Sequence, residues 1–205
     1  MQMGAPEYRL VSEWRVLGTV GEVADVLEDV RELSRWWPSV YLDVEELEPG
    51  DERGVGRRAR LHTKGWLPYT LDWELCVAES RHPEGFSIEA KGDFAGRGVW
   101  TFEQAGAWTL VTYDWQVRAE KPLLRLLSPW LRPVFAANHR WAMRMGEKSL
   151  ALEISRRRAA TAAERAKVPP PPAPAPTGPF LLAAGAAAAA AYLLARRLAR
   201  RRRRR

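Results

Sequence analysis

Residues 129–154, PWLRPVFAANHRWAMRMGEKSLALEI, constrain this chain more than any other stretch. Leu127, Leu131, Val134, Asn138, Trp141, Met145, Ser149 and Leu152 recur in steps of three and four, the period of a helix with one buried stripe. Arg132, His139, Arg140, Arg144, Glu147 and Lys148 fall on the other side and are expected to face water. A helix this long needs a large apolar surface to lie against, and the preceding sequence supplies one.

Between Val40 and Arg118, apolar-rich runs recur about every ten residues, punctuated by Gly and Pro. They are Val40–Leu47, Val55–Thr63, Tyr69–Ala78, Phe86–Ala90, Val99–Glu103 and Thr109–Arg118, and they predict an antiparallel meander. Tyr8–Leu17 reads as an earlier strand. Thr19 and Glu22 fit a capping box that opens a short helix, and a second one carries Leu33, Trp36 and Trp37 up to Pro38. Two strands declare their faces: Tyr69, Leu71, Trp73, Leu75 and Val77 alternate with polar residues, as do Val111, Tyr113, Trp115 and Val117. One side of the sheet is greasy and must be covered, and the long helix is the element able to cover it. Lys121 and Pro122 end the last strand, and Leu123 to Leu127 form a helical lead-in. Ser128 and Pro129 resemble a fresh helix start, and Pro133 is expected to kink the helix or delay its true beginning.

Four further stretches stand out: Trp36, Trp37 and Pro38; Gly92 to Trp100 (GDFAGRGVW); Thr112 to Trp115 (TYDW); and Asn138 to Met143 (NHRWAM). With the element order, they resemble the START/polyketide-cyclase (SRPBCC) superfamily over roughly residues 7–155. The resemblance implies an α+β helix-grip fold: a curved antiparallel sheet of about seven strands wrapped around a long C-terminal helix, with two short helices after the first strand. It further implies an apolar cavity between sheet and helix. Cyclases of the superfamily act largely by holding a polyketone in shape, so the motifs specify fold rather than reaction.

The expected lining is Trp36, Trp37, Tyr69, Trp73, Trp100, Tyr113, Trp115, Asn138, Trp141 and Met145, apolar surface with a few polar groups. Taken singly, each of these side chains is more readily read as plain core than as lining, and the set carries the cavity expectation better than any member. Asn138 is expected to bond a strand carbonyl or water. Asp72, Glu74 and Asp114 fall on the polar phase, where Arg58, Arg60 or Arg118 would pair with them. No nucleophile elbow, Cys–His pair or phosphate loop occurs, so no catalytic residue is assigned. His62, His82 and His139 lack metal-ligand spacing and Cys76 stands alone, so no metal, cofactor or disulfide is expected.

The net charge of +7 is a property of the tail, since the last ten residues hold eight Arg. Without them 24 basic residues face 25 acidic ones, and setting aside residues 156–167 as well leaves 19 against 24. A domain of that charge is a poor binder of nucleic acid, and no specific nucleic acid is expected as a partner. The chain divides into a ligand-binding domain (1–158), an Ala/Pro-rich linker (159–178), a membrane segment (179–195) and a poly-Arg tail (196–205). The proline run in the linker is expected to be extended and to hold the domain away from the segment beyond it. Phe180 to Ala195 carries no charge over sixteen residues, about 24 Å of helix against a hydrocarbon core of about 30 Å. With no secretory signal at the start, the expectation is a cytoplasmic domain that binds a hydrophobic small molecule or lipid and is held at the membrane through residues 179–205. The alternative is a cyclase or dehydrase acting on an aromatic or polyketide substrate.

Overall fold

The computed structural model describes residues 7–120 and 122–176. Strand β1 (Glu7–Leu17) leads into α1 (Val20–Leu27), a 3-10 turn (Val30–Glu32) and α2 (Leu33–Trp36). Six strands come next: β2 (Tyr41–Glu48), β3 (Arg58–Lys64), β4 (Thr70–Ser80), β5 (Gly85–Gly92), β6 (Phe94–Ala105) and β7 (Trp108–Ala119). Then come α3 (Pro122–Arg158) and α4 (Ala162–Lys167). The seven strands form one antiparallel sheet in the order β1-β7-β6-β5-β4-β3-β2, so β2 to β7 meander and β1 closes onto β7. This is the expected helix-grip arrangement.

Local chemistry explains the elements. Glu22 N donates to the Thr19 hydroxyl and Thr19 N donates to the Glu22 carboxylate, the reciprocal cap that starts α1. Alternation in β4 and β7 puts Leu71, Trp73, Leu75, Val111, Tyr113, Trp115 and Val117 inside. The outward face is a lattice of ion pairs: Glu74 with Arg58 at 3.0 Å and Arg60 at 3.8 Å, and Asp114 with Arg9 at 2.7 Å. Asp72 pairs with His62 at 2.6 Å, whereas Arg118 turns to Glu120.

Helix α3 departs from its expected form in two ways. It runs unbroken from Pro122 through Pro129 and Pro133. Its buried face also lies about one residue round from the expected stripe, on Met143, Gly146, Ser149, Leu150, Glu153 and Ile154, while Trp141, Met145 and Leu152 are only half-buried. The physical reason is that Gly146 and Glu153 are inward-facing for purposes other than apolar burial. A Cβ on Gly146 would stand 2.3 Å from Cζ2 of Trp37, so the glycine is a notch that admits the indole. Glu153 is an internal anion clasped by arginines.

The linker also differs. Instead of standing the domain off, residues 168–176 lie back along it: Arg156 Nη2 donates to the Pro169 carbonyl (2.9 Å) and Lys64 Nζ donates to the Ala175 carbonyl (2.6 Å). The expected membrane segment and poly-Arg tail lie outside the described residues. Among the described residues, no helix is long and apolar enough to cross a membrane.

Candidate ligand-binding site

The inward face of the sheet is paved with rings. Trp100 and Tyr113 are directly opposite on β6 and β7, their centroids 4.0 Å apart and planes within 17°. Phe86 stacks on Trp100 at 6.2 Å, Trp115 on Tyr113 at 5.7 Å, and Trp73 lies 6.0 Å beyond Trp115. The rings lie flat because β6 is small beneath them. A Cβ at Gly98 would fall 2.6 Å from Oη of Tyr113 and 2.9 Å from Cε3 of Trp115. Trp73 is pinned further, its Nε1 donating to Thr63 Oγ1 at 3.0 Å.

Between this floor and α3 lies a chamber of about 120 Å³. Of the ten expected lining residues, the structure brings six to its wall: Trp37, Trp73, Trp100, Tyr113, Trp115 and Asn138. The other four are elsewhere. Trp36 is wholly buried behind Trp37, Tyr69 is half-buried at the entry to β4, and Trp141 and Met145 sit on the flank of α3. The one-residue rotation of α3 moves those last two away and turns Phe135, His139 and Met143 inward.

Asn138 Oδ1 accepts from the backbone amides of Trp66 (2.9 Å) and Leu67 (3.2 Å), so its partners among the described residues are loop amides and not a strand carbonyl. It ties α3 to the β3–β4 loop, and Gly65 is bare where the Asn138 amide presses on it, since a Cβ there would stand 2.1 Å from Oδ1. His139, expected on the water-facing side, is a chamber residue. Its Nε2 lies 3.2 Å from Ser12 Oγ and its ring parallels Tyr113 at 6.5 Å. Burial, helped by the charge of Arg140, pushes its pKa down to about 4, so it is neutral at pH 7. The spacing Phe135, His139, Met143 is an i, i+4 row, a signal that finds His139 once it is allowed inside.

Burial raises the hydroxyls of Tyr113 and Tyr41 well above their usual pKa and pushes Tyr69 up to about 12, so all three stay protonated donors. The indole Nε1 atoms of Trp14, Trp36 and Trp37 are buried with no acceptor among the described residues, and Trp37 is in the chamber wall. Across the Trp37–Trp100 layer is a smaller void of about 40 Å³. A roomier groove of about 650 Å³ opens at the β2–β3 and β4–β5 loops. Its walls carry Arg53, Arg57, Arg81, Glu28 and Glu52, whereas the half-open pocket under α3 is walled mostly by aromatic and aliphatic side chains and is the better candidate for an apolar guest. No carboxylate lines that chamber among the described residues, and no cluster of metal-binding side chains occurs among them.

No protein-family model and no curated protein matches the sequence. Solved structures do. A Streptomyces aromatase/cyclase superposes with a TM-score of 0.60 at 18% identity, covering 77% of this chain and 99% of that one. The di-domain aromatase/cyclase BexL gives 0.54 at 13%, covering 70% of this chain and 50% of that one. A START superfamily protein from Mycobacterium smegmatis gives 0.50 at 14%, covering 66% and 97%. At such identities the likeness establishes the fold alone, which is START/SRPBCC-like.

Proposed function

We propose that the protein binds, and carries, a small planar hydrophobic molecule in the chamber between the ring-paved sheet and α3. The observation that carries this reading is a half-open space of about 120 Å³ with aromatic walls, one of them Trp37, whose buried indole N–H has no acceptor among the described residues. Ligand pockets typically run to about 300–1,000 Å³, while an apolar cavity of about 150 Å³ takes benzene. The chamber as it stands therefore suits a one-ring guest. A two-ring guest needs Trp37 to swing and join the 40 Å³ void to it, and an acyl lipid needs more room than both.

The test is extraction of the purified full chain into organic solvent with mass spectrometry, beside calorimetric titration of the one-ring guests benzene and toluene, with naphthalene as the two-ring comparison. Saturable binding is expected, lost in Ala142→Leu, which fills the chamber wall, and shifted toward larger guests in Trp115→Ala. Absence of both an extracted ligand and saturable binding would remove the reading.

A cyclase-type activity is the second reading, favoured by one feature: His139, a neutral imidazole oriented by Ser12, is in the chamber wall. His139→Gln would then abolish turnover of a polyketone while leaving its binding intact. Attachment to the membrane through residues 179–205 belongs to the same proposal, supported by their uncharged run and terminal arginines. A chain deleted of residues 178–205 that fractionates like the full chain would end it.

A further inference from the structure

Where α2, the last turns of α3 and α4 meet, a hollow of about 380 Å³ is lined by Arg35, Arg156, Arg157, Arg165 and Glu153. Glu153 is 1% exposed. It accepts from Arg35 Nη2 and Nη1 at 2.7 and 3.0 Å, and from Arg156 and Arg157 at 3.0 Å each. Those contacts occupy about all the lone-pair sites that a carboxylate offers. Among the described residues Arg165 has no acid partner, and the other acid at the cluster is Glu32, on the outer side of Arg35. Four guanidiniums thus share two carboxylates, and two positive charges remain uncompensated in one hollow.

Elsewhere on the surface an arginine that pairs with an acid does so largely alone, as in Arg9 with Asp114, Arg97 with Glu79 and Arg158 with Glu22, whereas here three forks converge on one carboxylate. The forks are also pre-positioned. Arg156 Nη2 is tied to the Pro169 carbonyl at 2.9 Å and Arg157 Nη1 to the Asp25 carbonyl at 3.3 Å, so an incoming anion meets donors already in place. Planar guanidinium forks match the oxygens of a phosphate, and a dianion matches the surplus charge.

We propose that this hollow is a binding site for a terminal phosphate group, either free phosphate or diphosphate, or the phosphomonoester headgroup of a lipid. The site is independent of whatever occupies the aromatic chamber.

Because the full chain ends in clustered arginines that attract any anion, the experiment must be resolved by residue. Arginine Nε–Hε resonances of the full-length protein are tracked at constant ionic strength while inorganic diphosphate, and separately a short-chain soluble phosphatidic acid, is added. Saturable shifts are expected at Arg35, Arg156 and Arg157, with affinity lowered about tenfold in Arg165→Ala and in Arg157→Gln at unchanged fold. Response to diphosphate alone identifies a free phosphate as the occupant; response to phosphatidic acid alone, or more tightly, identifies a headgroup. No saturable shift with either probe, or equal affinity in both variants, overturns the proposal.

Discussion

Trp37 is inserted where α3 has no side chain, and that contact decides how closely helix and sheet approach. Gly146→Ala should therefore be destabilising even though alanine favours a helix by about 1 kcal/mol, because overpacking against a buried indole costs about 1–3 kcal/mol. A lowered denaturant midpoint at unchanged slope checks this; a rise would mean that the ring yields freely. His139 supplies a second prediction. Its folded pKa is depressed to about 4 against a usual 6.5, so the unfolded chain takes up a proton first as pH falls. Stability from this group is complete above about pH 6.5 and declines toward pH 4, by about 1–2 kcal/mol between pH 7 and 5. Melting curves across that range should show the slope in the wild type and its loss in His139→Gln. Sequence pattern alone left His139 outside because a polar residue beside arginines looks solvated. Only the packing of Phe135 and Met143 on either side, with Ser12 opposite, makes its burial tolerable.

At the scale of elements, the strands were legible because a period of two leaves nothing to interpret: the alternation in β4 and β7 put Trp73, Tyr113 and Trp115 inside, where the structure has them. Helix α3 was legible in period but not in phase or in its start, because Pro129 and Pro133 read as a fresh beginning and a kink, whereas the helix runs unbroken from Pro122. A search for large apolar residues weights Trp141 and Met145 and ignores Gly146 and Glu153, which are inward for reasons of notch and charge. The segment 168–176 was not legible at all, since two donated hydrogen bonds to backbone carbonyls leave no trace in composition. Lys64 both lines the chamber and holds Ala175, so this strap lies at the site's margin. Lys64→Met should loosen it, seen as faster proteinase K cleavage and amide exchange within 168–176 and no change in β6 or β7. Unchanged cleavage would show that Arg156 and packing suffice.

For the whole molecule, acid is the expected weakness. Burial alone would raise the pKa of Glu153, yet the hydrogen bonds from Arg35, Arg157 and Arg156 hold it down at about 2; Glu22, bonded to Arg158 and to its own cap, is also near 2. Depressed carboxylates stabilise the fold above their usual pKa of about 4.5 and lose that contribution as pH falls toward 2. For Glu153 this amounts to about 2–3 kcal/mol. An unfolding series from pH 6 to 2 should show the loss, and Glu153→Gln should be destabilised already at pH 7 with a shallower acid limb. A wild type equally stable at pH 2.5 and pH 6 would mean that the arginine clasp contributes little.

The run of rings from Phe86 through Trp100, Tyr113 and Trp115 to Trp73, at spacings of 4.0 to 6.2 Å, has an optical corollary. Transition dipoles held that close in a chiral array couple, so the domain carries its own dichroic signature in the ultraviolet. Anything that slides a flat guest over those rings, or tilts one of them, rewrites that spectrum without a dye or a label.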